Sequence, residues 1–303
     1  MTSDPIWFQP PPRSARVPEA PPRPTGGRVA LEVDGTRVEV EAGATLLDAC
    51  RAAGRDVPTL CYLETLTPVN ACRLCVVEVA GARVLAPACS RKAEAGMVVS
   101  TESERVRTSR KVVLELLASS VDLSTAPGLG ELLERYGARP ERFQGGATVA
   151  QPVKVDNDLY VRDYSKCVLC YKCVEACGVD AQNTFAIAVA GRGFDAGIAT
   201  EWEVPLPDSA CVYCGNCIGV CPTGALMAKP EHDLRESGRW NEAEQTRTDT
   251  ICSYCGVGCT LTLHVQDERI VKATSPLENS TTHGNLCVKG RFGFEFVQLG
   301  RKS

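Results

Sequence analysis

The sequence holds only three histidines, His232, His264 and His283, each standing apart among polar neighbours. They read as surface residues and offer no general base and no histidine-rich metal site. No apolar run approaches the roughly 20 residues that cross a bilayer. The first residues carry neither the charged nor the apolar segment of a secretory leader. With 33 Lys and Arg against 37 Asp and Glu, the formal net charge is −4, which gives no basic footprint for nucleic acid. A nucleophile elbow, a Walker loop, a His-Glu-x-x-His pair and a carboxylate pair in an apolar setting are all missing. What remains is ordinary for a folded chain: 303 residues, 44% hydrophobic and 23% charged, enough for about two domains.

Cysteine is what the sequence has in excess. Seventeen are present, and most are two or three residues apart. That clustering suits metal ligation and not a disulfide framework, so a reducing compartment, the cytoplasm, is expected. Two runs copy each other: Cys167, Cys170, Cys173 and Cys177, then Cys211, Cys214, Cys217 and Cys221 with Pro222, every member displaced by 44 positions. The C-x2-C-x2-C-x3-C spacing is that of bacterial-type two-cluster ferredoxins, in which the fourth cysteine of each run reaches the other cluster. One [4Fe–4S] cluster is therefore expected on Cys167, Cys170, Cys173 and Cys221, and another on Cys211, Cys214, Cys217 and Cys177. Zinc is the competing reading, but structural zinc sites use separated pairs and crossed quartets fit them poorly.

Upstream, residues 1–27 hold eight prolines and read as a flexible arm whose Trp7 and Phe8 have no assigned partner. From residue 28 the pattern alternates through Val29, Leu31 and Val33, turns at Asp34-Gly35, and alternates again through Val38 and Val40. Thr45 and Asp48 form a capping-box pattern before a short helix stopped by Gly54. Cys50 falls on the apolar face of that helix and reads as core. Cys61, Cys72, Cys75 and Cys89 follow, spaced C-x10-C-x2-C-x13-C. Hairpin, helix and cysteine loop in this order resemble the β-grasp [2Fe–2S] module that opens the large iron–sulfur subunit of respiratory complex I and related cytoplasmic formate dehydrogenases and hydrogenases. Arg73 and Leu74 lie where backbone N–H groups can point at sulfur.

Residues 102–150 read as a helical linker, with Val106, Val112, Val113, Leu116 and Leu117 facing inward. In the families just named this stretch supplies one His and three Cys to a further cluster; here it has neither residue, and that cluster is expected to be absent. Residues 151–229 form the tandem ferredoxin, with a strand at 184–189 and a turn over the glycines from Gly191 to Gly197. Lys166 and Lys172 flank the first repeat, and the second has no such charge. Residues 230–247 are charged and apolar-poor, a linker or exposed helix.

The last module, 248–303, carries Cys252, Cys255, Cys259 and Cys287, and a hairpin is expected around Asp267-Glu268. Its C-x2-C-x3-C-x27-C spacing and the closing Asn285-Leu-Cys287-Val-Lys289-Gly290 resemble the cluster domain that introduces the molybdenum or tungsten bis-pterin oxidoreductases. That resemblance assigns Lys289 a place between the cluster and one pterin. It also implies a pterin guanine dinucleotide on a catalytic partner chain, and a second partner that binds FMN and NAD. The sequence closes at Ser303, before any catalytic residue of that family, so catalysis is expected on the partner.

The expected fold class is α+β in several small domains: β-grasp [2Fe–2S] ferredoxin, helical linker, 2[4Fe–4S] ferredoxin and a small β-rich [4Fe–4S] domain. Sixteen of the seventeen cysteines are assigned to one [2Fe–2S] and three [4Fe–4S] clusters, about fourteen irons. The expected function is electron relay in a formate dehydrogenase-type complex. The alternatives are a stand-alone ferredoxin-like carrier, a redox sensor or assembly protein, or the relay of another pterin oxidoreductase or a hydrogenase.

Overall fold

The computed structural model describes residues 26–298; Trp7, Phe8 and nearly all of the proline-rich arm lie outside them. Two strands, β1 (Arg28–Val33) and β2 (Thr36–Glu41), pair in antiparallel register about Asp34-Gly35. Both turn residues take positive φ, 46° and 78°, which the tight hairpin requires. Helix α1 (Leu46–Ala52) starts from the complete Thr45–Asp48 capping box and buries Leu46, Leu47, Ala49 and Cys50 on the hairpin. Strands β3 (Val76–Val79), β4 (Ala86–Pro87) and β5 (Val98–Ser100) complete a five-stranded mixed sheet in the order β2-β1-β5-β3-β4, with β1 and β5 parallel. A helix packed across such a sheet is the β-grasp arrangement, and Cys50 sits inside its core.

Helix α2 (Glu104–Ser120) is capped by Ser103 and followed by α3 (Pro127–Tyr136), so the helix–loop–helix frame is present. Its inward face differs from the expected one. Val106, Arg110, Leu114 and Glu115 are buried, whereas Leu116 is exposed. Arg110 turns inward because the neighbouring loop presents carbonyls that need donors. Leu123, Ala126, Leu129, Leu132 and Leu133 pack with Leu60, Leu74, Cys72 and Val168, filling the space between the first module and the tandem repeat with apolar side chains.

In the tandem unit β6 (Tyr160–Arg162) is a short strand, and helix α4 (Lys172–Cys177) follows the first cysteine loop. Strands β7 (Ala188–Ala190) and β8 (Gly197–Ala199) form a hairpin, shorter than and displaced from the expected 184–189 strand. Helix α5 (Asn216–Gly219) follows the second loop, and β9 (Leu226–Ala228) returns to pair with β6. The 44-residue repeat extends to the backbone: Leu169 and Tyr213 have φ of 50° and 56°, and Tyr171 and Gly215 have 62° and 69°.

The charged stretch after residue 229 is not a linker throughout. It begins as α6 (Lys229–Glu236), which buries Glu231 between Arg235 at 2.8 Å and Lys272 at 3.0 Å. Strands β10 (Thr246–Ile251), β11 (Thr260–Gln266) and β12 (Arg269–Thr274) then form an antiparallel sheet, one strand more than the hairpin read from sequence. Helix α7 (Val288–Phe292) starts at Cys287 as its cap residue. His264 is another correction. It is buried in β11, with Nε2 2.9 Å from Thr274 Oγ1, because alternation in the strand turns it inward.

Candidate metal centres

Four thiols of the first module meet beside α2. Cys61, Cys75 and Cys89 are buried and Cys72 is partly so. Cys75 Sγ lies 3.4 Å from Cys89 Sγ, and the Cys72 N–H reaches Cys61 Sγ at 3.5 Å. Hydrogen bonding from Cys61, assisted by the Leu74 N–H, brings the Cys72 pKa down to about 6 against burial; Cys89 brings that of Cys75 down to about 7. Their partners Cys61 and Cys89 are raised, each by the thiol it bonds to and by burial. Arg110 holds the loop from behind: its Nε and Nη2 donate to the Leu74 and Val76 carbonyls, both at 2.9 Å.

The tandem unit holds two cavities, and the cysteines are crossed between them. One, with about 340 Å³ of empty space counting its open side, is lined by Cys167, Cys170, Cys173 and Cys221. The other, of about 430 Å³ on the same measure, is lined by Cys177, Cys211, Cys214 and Cys217. In each, a backbone N–H two residues on donates to the first sulfur at 3.4 Å, Leu169 to Cys167 and Tyr213 to Cys211. Burial pushes the thiols of Cys167 and Cys170 up to about 11 and raises those of Cys173, Cys214 and Cys217 as well. Such thiols release their protons to a metal. Among the described residues, no three His, Cys, Asp or Glu side chains close on a single point as a lone ion needs.

Polar groups without partners line the same walls. Arg162 Nε and Nη1 and Tyr164 Oη are buried with no hydrogen-bond partner. Both residues border the second cavity, and Tyr164 borders the first as well. Buried donors demand acceptors, and the sulfurs of an anionic cluster are acceptors. The donor set therefore fits [4Fe–4S] clusters.

The last quartet is more open. Cys252 is buried, Cys259 half-buried, and Cys255 and Cys287 exposed. Cys259 is raised by burial and by Cys252, Cys255 and Cys287, and the Cys252 N–H donates to the Cys259 carbonyl at 2.8 Å. Lys289 is exposed, its Nζ 6.0 Å from the Tyr254 ring centre.

Three family descriptions match in chain order. Residues 26–104 match the 2Fe-2S iron-sulfur cluster binding domain, 166–225 the 4Fe-4S dicluster domain, and 245–299 the molybdopterin oxidoreductase Fe4S4 domain. Over 89% of its length the chain is 33% identical to a G-type NADH-quinone oxidoreductase subunit of Rhizobium meliloti (strain 1021), covering 32% of that protein. Over the part it spans, the chain is similar to the iron–sulfur region of that subunit. A second relative, a presumed formate dehydrogenase of Staphylococcus haemolyticus (strain JCSC1435), is 27% identical over 90% of the chain, which covers 31% of it. The chain thus spans about a third of both curated relatives. Among solved structures, a chain of an NAD+-reducing [NiFe]-hydrogenase superposes with a TM-score of 0.59 at 27% identity, covering 66% of this chain and 87% of that one.

Several residues at these centres carried no sequence signal. Arg110 lies on an amphipathic helix whose apolar pattern does not mark it. Tyr160, whose Oη is 3.1 Å from Cys211 Sγ, precedes the cysteine it serves by fifty-one residues. Arg291 supplies the second repeat with the nearby charge that its own sequence lacks. On the first repeat, Lys166 is spent on Asp122 at 2.8 Å and Asp163 at 2.6 Å, while Lys172 is buried beside Cys170.

Proposed function

We propose that this chain is an electron relay holding one [2Fe–2S] cluster on Cys61, Cys72, Cys75 and Cys89 and three [4Fe–4S] clusters. The cubane ligands are the two crossed quartets and the set Cys252, Cys255, Cys259 and Cys287. The observation that carries the reading is the pair of cavities, each walled by three cysteines of one repeat and the last cysteine of the other. When bound, the clusters take up and release single electrons; the protein supplies position, hydrogen bonds and burial.

The modules suggest a path. Cys72 and Val168 both pack against one apolar cluster, which lies between the first module and the first tandem loop. At the other end Cys255 and Cys287 face outward, where a partner can approach. The partner we propose is a Mo or W bis-pterin catalytic unit of the formate dehydrogenase type, with Lys289 beside the pterin. A flavin- and NAD-binding chain would meet the first module. The Fe4S4-domain match at 245–299 supports the pterin side.

The test is Cys255→Ser in the assembled complex. Formate oxidation with an artificial acceptor should persist while formate-driven NAD reduction falls at least a hundredfold; an unchanged coupled rate contradicts the relay. The likeness to a hydrogenase chain supports a second reading, a relay fed by hydrogen. Reduction of the clusters by hydrogen and not by formate would select it.

A further inference from the structure

Arg291 is a cation placed inside the protein with no carboxylate to meet it among the described residues. The residue is 5% exposed. Nε donates to the Cys214 carbonyl at 3.1 Å, Nη1 to the Ala273 carbonyl at 3.4 Å and Nη2 to Asn216 Oδ1 at 3.2 Å, all neutral acceptors. Leaving a buried charge unpaired is costly, by several kcal/mol in typical cases. The chain nonetheless makes room for it. Gly215, at φ +69°, has no side chain where a Cβ would stand 2.3 Å from Arg291 Cδ, and a Cβ at Gly219 would stand 3.3 Å from Arg291 Nη2.

The loop it holds is a wall of the second cavity, which Cys214, Gly215 and Cys217 line. The loop that accepts its hydrogen bonds runs from Cys214 to Cys217, through the Cys214 carbonyl and Asn216 Oδ1. Arg291 also comes from a different module. It lies one helical turn after Cys287, in the helix that Cys287 caps. The Leu286 N–H donates to the same Asn216 Oδ1 at 2.9 Å, so the last module is latched to the second loop at this point.

We infer that Arg291 is the counter-charge of the cubane on Cys177, Cys211, Cys214 and Cys217, and raises its reduction potential. The inference rests on the ligand assignment proposed above. An electron added to that cubane places negative charge beside a desolvated guanidinium, where the attraction is weakly screened. The last module thereby sets the potential of its neighbour, and an electron shared between the two is biased toward the tandem unit. Arg291 is a positioning residue: it touches the loop, not a substrate.

The test is a redox titration followed by EPR on the full chain, prepared anaerobically, in a Cys221→Ser background that removes the first cubane. Neutral variants Arg291→Gln and Arg291→Met should lower the electron-binding constant of the remaining tandem cubane at least tenfold, about 59 mV for a one-electron couple. Arg291→Lys, which keeps the charge, should stay within threefold. Loss of the cubane in both neutral variants but not in Arg291→Lys also supports the role. Neutral variants that titrate at the parent potential, or a lysine variant that falls as far as they do, overturn it. A parent protein without any tandem cubane defeats the ligand assignment itself, a different outcome from a cubane whose potential does not move.

Discussion

Tyr160 Oη stands 3.1 Å from Cys211 Sγ, in a side chain that is buried, stacked on Phe292 and met edge-on by Tyr213. A phenol held there donates to the sulfur once the thiol has lost its proton. The two ring contacts keep it in place, so the bond does not depend on a mobile side chain.

Tyr160→Phe should keep the fold and the cluster while removing one donor. A bond of net worth ~0.5–1.5 kcal/mol moves a one-electron couple by roughly 20–65 mV. The cubane on the second quartet should become harder to reduce by that amount in an EPR-monitored titration. An unchanged potential would mean that the hydroxyl bonds elsewhere.

Arg110 is the anchor of the first module. Its guanidinium is fully buried and meets two loop carbonyls, Glu102 at 2.8 Å and Tyr136 Oη at 2.7 Å. Arg110→Met leaves those groups unpaired and should cost about 3–5 kcal/mol, with early loss of the [2Fe–2S] visible circular dichroism. Lysine cannot reproduce the fork of donors and should not rescue it.

The crossed quartets separate two outcomes that a simple reading of the motifs would reverse. Cys221→Ser should abolish the cubane of the first repeat and spare that of the second; Cys177→Ser should do the opposite. Mössbauer or EPR signals of each variant, compared with Cys167→Ser and Cys211→Ser, decide the pairing. Cys221→Ser resembling Cys211→Ser would refute it.

His264 makes the last sheet sensitive to acid. Burial, with Lys272 and Arg247 nearby, lowers its pKa below the usual 6.5. The unfolded chain therefore binds the proton first, and stability present above about pH 6.5 is lost as pH falls toward the folded-state value. The unfolding midpoint of this module should drop between pH 7 and 5.5. His264→Gln, which can still meet Thr274, should flatten that drop.

What could be read beforehand follows from what periodicity encodes. The 44-residue repeat, the Asp34-Gly35 hairpin and the Thr45–Asp48 cap are local patterns, and the structure contains each of them. The inward face of α2 was read from apolar residues alone, which missed Arg110 and Glu115 and wrongly turned Leu116 inward. A buried ion needs partners distant in sequence: Leu74 and Val76 for Arg110, and the backbone N–H of Arg139 at 3.0 Å with the Arg142 guanidinium at 2.6 Å for Glu115. The same limit hid Arg291 while the neighbouring Lys289 drew attention through its motif. Composition likewise left 230–247 between a linker and an exposed helix, because α6 buries a carboxylate between cations and not an apolar stripe.

The most direct measurement is iron, acid-labile sulfide and zinc content of the anaerobically purified chain, with Mössbauer spectra of the same sample. Four centres demand about fourteen irons per chain, with one [2Fe–2S] and three [4Fe–4S] components and negligible zinc. Stoichiometric zinc, or iron sufficient for only one or two centres, would contradict the relay.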